Sequence, residues 1–233
     1  MKYLVTLSIV VLVHLISFSQ QTFVYKTSAE VDYESIKLDE VKKLMRNVES
    51  ELDENKFILS VLDNQSQFSV SEALNKDSQN LQALKIAEAM SYVSDQWFYD
   101  SSNGSLYLQT SFMNQIFNVQ FKELPRWQIK NEHKVIGKYK VTKAVTIRKF
   151  IGSNGVKEKE IEAWFCKDIS VPHGPMGAVG LPGLVVQLRL QNTIYTLDSV
   201  ENTVNSLKKV NQNEVISSEK FYNLVDEKLQ NYR

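Results

Sequence analysis

Cys166, Asp168 and His173 lie within eight residues of one another and carry the groups from which a thiol enzyme is built. A thiol nucleophile needs a base within hydrogen-bond reach and a third group to orient that base. Such partners meet in space, so closeness along the chain is weak support. Cys166 also ends the apolar run Ala163-Trp164-Phe165, where a cysteine packs as a small hydrophobe. A hydrolase or thiol enzyme on Cys166 and His173 is therefore the alternative reading, and no catalytic residue is assigned. The three histidines show no HxH or HExxH spacing and the lone cysteine forms no CxxC, so neither metal nor cofactor is expected. Glu160 and Glu162 alternate onto one strand face, where solvated edge charge explains them.

The informative stretch is apolar. Residues 172–183 hold three of the four prolines (Pro172, Pro175, Pro182) and four of the eight glycines (Gly174, Gly177, Gly180, Gly183). This cluster forbids helix and central strand and marks an ordered loop. Neither GxGxxG nor GxxxxGK[ST] occurs, so it is no nucleotide loop. Leu181-Pro182-Gly183-Leu184 fits a type II turn, with Gly183 at the positive-φ position, feeding Leu184-Val185-Val186 into a strand. Met176, Ala178 and Val179 have no evident turn role, which leaves them free to bind. Trp127 and Trp164 fit core anchors better than ligand-stacking platforms.

The elements around this loop follow from periodicity. Thr22–Thr27, Phe57–Leu62 and a short segment at Phe68 read as strands. Leu38, Val41, Met45, Val48 and Leu52 recur at helical spacing, as do Leu81, Leu84, Ala87, Met90, Val93 and Trp97. Beyond Trp97 the period becomes two. Ser101-Ser102-Asn103-Gly104 signals a hairpin with a type I′ turn. Strands follow at 106–112, 116–121, 127–130, 136–146, 161–166, 185–190 and 193–197, with a turn at Ser153-Asn154-Gly155. Ser217 or Ser218 caps a last helix with Phe221, Leu224, Val225 and Leu229 on one stripe. The expected class is α+β: a large, curved, mostly antiparallel sheet, a partial barrel, packed on two or three helices.

Here the sequence resembles the GLPGLI family, exported proteins of Bacteroidota. The naming motif stands as Gly180-Leu181-Pro182-Gly183-Leu184-Val185, with Val for the usual Ile. Ala163-Trp164-Phe165, Ile169 and Gly174-Pro175 are similar to the AWF…I…GP stretch. Trp127, Ile136-Gly137-Lys138-Tyr139 and Lys143-Ala144 are similar to W…IxGY…KA. The resemblance spans residues 127–190 in order and spacing, and implies an exported, sheet-rich protein without an established activity. Val141 stands where the family often has Cys, and Met176–Val179 lacks the aromatics that often follow GP. The resemblance makes Trp127, Tyr139, Trp164, Gly174, Pro175, Met176, Val179, Gly180, Leu181, Pro182 and Gly183 the candidate contact residues.

Composition bounds the rest. Over 233 residues, 43% apolar and 23% charged is globular, and 27 basic residues cancel 27 acidic ones, so nucleic acid is not an expected partner. Lys2, the apolar run Tyr3–Phe18, and Ser17 and Ser19 before Gln20 read as a signal peptide over residues 1–19. One domain over 20–233 is expected, in the periplasm or secreted, with no span in the mature chain. No cysteine near the cleavage site offers a lipid anchor, and one cysteine cannot form an internal disulfide. The expected role is a non-catalytic binding or accessory protein for a partner protein or an apolar ligand.

Overall fold

Alternation of buried and open side chains governs the strands, and the strands make up half of the described residues. The computed structural model describes residues 21–71, 80–152, 155–201, 207–208, 210 and 214–231. The expected signal peptide and the turn at Ser153-Asn154 lie outside the described residues. In order, the elements are β1 (Gln21–Ala29), α1 (Asp39–Glu54), β2 (Lys56–Leu62), β3 (Gln65–Val70), α2 (Leu81–Met90), β4 (Gln96–Asp100), β5 (Ser105–Phe112) and β6 (Gln115–Phe121). Then come β7 (Gln128–Ile136), β8 (Tyr139–Gly152), β9 (Gly155–Cys166), β10 (Leu184–Leu190), β11 (Thr193–Glu201), β12 (Val215–Ser217) and α3 (Ser218–Asn231). None of the helices is long and apolar enough to cross a membrane, among the described residues.

The strands form one open sheet in the order β12-β6-β5-β4-β3-β2-β1-β11-β10-β9-β8-β7. Every pairing is antiparallel except β12 with β6. Among the described residues the three helices are a minor component, so this part of the chain is more strand-rich than an even α+β balance.

The sheet must curl. β4 and β8 are seven strand spacings apart, about 34 Å if the sheet were flat. Yet the guanidinium carbon of Arg148 on β8 lies 4.9 Å from the ring centroid of Trp97 on β4. The helix α3 spans the same gap, packing on β9 from one arm and on β6 and β12 from the other. Aromatic residues fill the trough: Phe57 stacks on Phe68 at 5.5 Å, and Tyr195 meets Phe57 edge-on at 5.3 Å. A smaller second core joins α1 to α2 through Val48, Leu52, Ala83 and Ala87.

Three local expectations are corrected here. The helix begun at Leu81 stops at Met90; Ser91 Oγ donates to the Ala87 carbonyl at 2.7 Å and Tyr92 takes φ 50°, which turns the chain so that Trp97 falls on β4. The strand expected over 136–146 is broken by a turn at Gly137-Lys138 between β7 and β8. At 101–104 only Gly104 has positive φ, so the turn is not type I′. That geometry belongs to Met113 (φ 47°) and Asn114 (φ 61°) between β5 and β6.

The Gly-Pro loop between β9 and β10 lies inside the trough. Pro175–Gly177 forms a short 3-10 turn against β3 and β4, and Met176 takes φ 54° within it. Gly183 N–H bonds the Leu181 carbonyl at 2.8 Å and Leu184 N–H goes to Ile169, so the turn is a tighter three-residue one, not type II. Gly183 does have positive φ, 145°, and a Cβ there would run into the Cys166 backbone carbonyl. Gly174 is extended and needs glycine only for space: a Cβ would lie 2.5 Å from Val185 Cβ and 2.8 Å from the Ala178 carbonyl oxygen.

Candidate functional site

A cleft of about 490 Å³ opens where the two arms of the curled sheet face each other. One wall carries Trp97, Leu106 and Phe121 from β4, β5 and β6, continued by Leu124; the other carries Arg148 from β8, and Tyr222 of α3 closes one side. Behind Arg148, Trp97 and Tyr222 lies a smaller cavity of about 240 Å³, lined also by Tyr92, Asp95, Thr110 and Met176.

Arg148 reaches this place by strand alternation. β8 pairs with β9 without a register shift, and Ala144, Thr146 and Phe150, which share the Arg148 parity, are buried. Ile147 and Ile151, on the other face, are 59% and 41% exposed. The Arg148 guanidinium donates to the Met176 carbonyl at 2.7 Å and, at 3.4 Å, to that of Gly177. Among the described residues no carboxylate oxygen lies within 4.0 Å of it. Burial lowers its pKa from the ordinary value, opposed by nearby Tyr222, Tyr92, Asp95 and Tyr195.

Among the described residues, no neighbouring carboxylate bonds the guanidinium directly. Burial pushes the Asp95 carboxyl up to about 6, although Thr110 Oγ1 donates to it at 2.6 Å. Burial also raises Tyr92, Tyr195 and Tyr222, so their phenols stay neutral. The Trp97 indole N–H is buried without an acceptor among the described residues. Two side chains beside the cleft, Trp97 and Arg148, therefore have donors in excess of acceptors among the described residues.

The residues expected from sequence are placed differently. Met176, Val179 and Leu181 are each 2% exposed, and Gly174, Pro175 and Gly183 are also buried; only Gly180 and Pro182 reach the surface. Met176 alone of this set lines a cavity described above, the smaller one. Trp127 is half-buried and donates its indole N–H to the Val179 carbonyl at 2.8 Å, holding the loop. Tyr139 packs partly against the main core. Trp164 is directly opposite Lys143, which has the parity opposite to Arg148, so Trp164 lies on the other face of the sheet. The structure thus gathers Trp127 with the loop and separates Trp164 from both.

Cys166 is buried, free and not hydrogen-bonded to His173 among the described residues. His173 Nδ1 instead lies 2.9 Å from Ser66 Oγ, its ring stands 5.4 Å from Tyr99, and burial pulls it down to about 4. Neither residue lines the cleft, and the described residues hold no cluster of three metal-binding side chains. Sequence reasoning missed Arg148, Trp97 and Asp95. The available signal was an arginine in phase with Ala144 and Phe150 on a long strand.

Comparisons with known proteins bear on the fold. A family model described as "Protein of unknown function (Porph_ging)" matches residues 152–187, the segment from the start of β9 through the loop into β10. No curated relative matches. A solved structure of PNGF-II is similar at 16% identity and a TM-score of 0.51, over 91% of this chain and 33% of that one. A second crystal form of PNGF-II gives a TM-score of 0.49 at 16% identity, over 89% and 33%. The chain thus spans about a third of the length of PNGF-II, and at this identity the likeness shows a shared fold alone.

Proposed function

We propose that this is an exported, non-catalytic binding protein of the GLPGLI type, resident in the periplasm or secreted, whose cleft takes a ligand with an apolar body. The observation that carries the reading is the cleft itself. Its volume lies in the range of small-molecule sites, and Trp97, Leu106, Phe121 and Leu124 give it an apolar wall on rigid strands. A partner protein, the other expected occupant, has only Pro172, Gly180 and Pro182 of residues 172–183 to touch. The thiol reading lacks support, because His173 is engaged with Ser66 rather than with Cys166.

Native mass spectrometry of the protein recovered from its own cell envelope tests the proposal. One adduct of small-molecule mass per chain is expected, abolished by the cleft-filling Leu106→Trp substitution, with the mature chain beginning at Gln20 or Gln21. Absence of an adduct in every preparation overturns the ligand, and a retained Tyr3–Phe18 segment overturns the export.

A further inference from the structure

Resting on that reading of the cleft, we infer that its ligand is an apolar acid carrying a single negative charge, whose carboxylate sits on Arg148 while its hydrocarbon body lies along Trp97, Leu106, Phe121 and Leu124. Three features of two side chains, Arg148 and Trp97, converge on this. A guanidinium has five N–H donors, and two carbonyls, Met176 and Gly177, occupy only part of that fork. A partly buried arginine with no carboxylate partner among the described residues is a costly arrangement unless something supplies the anion. The Trp97 N–H on the facing wall is a second donor without an acceptor among the described residues, so both walls are short of acceptors.

The count of charges selects a monoanion. Among the described residues, Arg148 is the single cation shared by the cleft and the cavity behind it. At the rim, Arg126 is already paired with Glu123 at 2.7 Å, Lys149 stands across from Glu158 on β9 with its ammonium over the Tyr222 ring, and Glu158 and Glu219 line the same opening. A dianionic phosphate would meet one guanidinium within and carboxylates at the mouth. A carboxylate matches the fork of one guanidinium in charge and geometry. Asp95, bonded to Thr110 and not to Arg148, leaves the guanidinium for the ligand.

Titration calorimetry of the mature chain with decanoate, decan-1-ol and decyl phosphate separates the possibilities. Decanoate should bind with one site per chain, and decan-1-ol about 10- to 100-fold more weakly, the span expected for charged hydrogen bonds. Arg148→Met should bring decanoate down to the level of the alcohol. Because Arg148 also holds two loop carbonyls, Leu124→Trp serves as a second variant: it fills the apolar end, leaves those bonds intact, and should weaken both ligands tenfold or more at unchanged melting temperature. Equal binding of acid and alcohol, unaffected by Arg148→Met, overturns the anchor while the apolar cleft stands. Tighter binding of decyl phosphate overturns the single charge. No binding of any of the three, with a folded protein, overturns the cleft and the anchor together.

Discussion

Trp164 and Trp97 each lie beneath a cation on opposite faces of the same sheet. Over Trp164 the Lys134 ammonium stands 4.0 Å from the ring; over Trp97 the Arg148 guanidinium stands at 4.9 Å. The Trp164 indole donates to Glu162 at 2.7 Å, and Glu162 is also paired with Lys143 at 3.1 Å. Although burial pushes the Glu162 carboxyl up, the Trp164 and Lys143 bonds bring it below its ordinary value. Charge and hydrogen bonds close on themselves there. Around Trp97 they do not: the indole N–H has no acceptor and the guanidinium no carboxylate, among the described residues. The difference separates a face finished by its own residues from one with capacity left for a ligand, and the motif-bearing loop is packed into the second face as buried support for Arg148 and Trp97.

The largest effect should come from forcing that loop open. Gly183→Ala sets a Cβ against the Cys166 backbone carbonyl, which cannot move aside without parting β9 from β10. A loss of about 3 kcal/mol or more in urea unfolding is expected. Gly180→Ala, at φ 86° in open space, should cost only about 1–2 kcal/mol from backbone strain. Met176→Lys buries a charge in a residue 2% exposed and should match Gly183→Ala, a stability effect where a binding effect was expected from sequence. Equal, small losses for all three would mean that the loop is a surface element after all.

The loop shows how far sequence reading reaches. Its existence and its strand exit followed from proline and glycine, whose backbone limits are local. Its destination did not. Burial of Met176 depends on a sheet that curls over seven strand spacings, and only long-range pairing decides that. Helix stripes were legible in kind but not in extent: Leu38 and Leu81, counted as core, are 66% and 67% exposed because they sit at helix starts. The three-residue strand β12 has too few residues for any period. Arg148 was legible in principle, since strand parity placed it, but its significance required seeing the opposite arm arrive.

Acid titration tests the two faces of the trough next. His173, held at about 4 against an ordinary 6.5, contributes stability that is full above 6.5 and lost as pH falls through 4. Asp95, held at about 6 against 3.8, contributes stability that is full below 3.8 and lost as pH rises through 6. Each is worth about 3 kcal/mol, with opposite sign over nearly the same window. Parent stability should therefore be almost flat from pH 4 to 6.5. Asp95→Asn should expose a steep loss toward acid, and His173→Gln a rise toward acid. Denaturant melts across that range check this, and slopes unmoved by either substitution would contradict the burial of both groups.

The smallest expected effect discriminates most finely between the two tryptophans. Trp97 and Trp164 are 5% and 7% exposed, so replacing either by Phe removes a similar buried volume. Subtracting one loss from the other leaves the indole hydrogen bond. Trp164→Phe takes from Glu162 a bond to a charged acceptor, although Lys143 remains. Trp97→Phe takes away a donor that has no acceptor, which relieves a desolvation cost instead of forfeiting a bond. Trp164→Phe should therefore be the costlier change by about 1–2 kcal/mol in matched denaturant melts. If Trp97→Phe costs more, its N–H has an acceptor beyond the described residues, the trough is not short of acceptors, and one of the supports for an anion beside Arg148 is withdrawn.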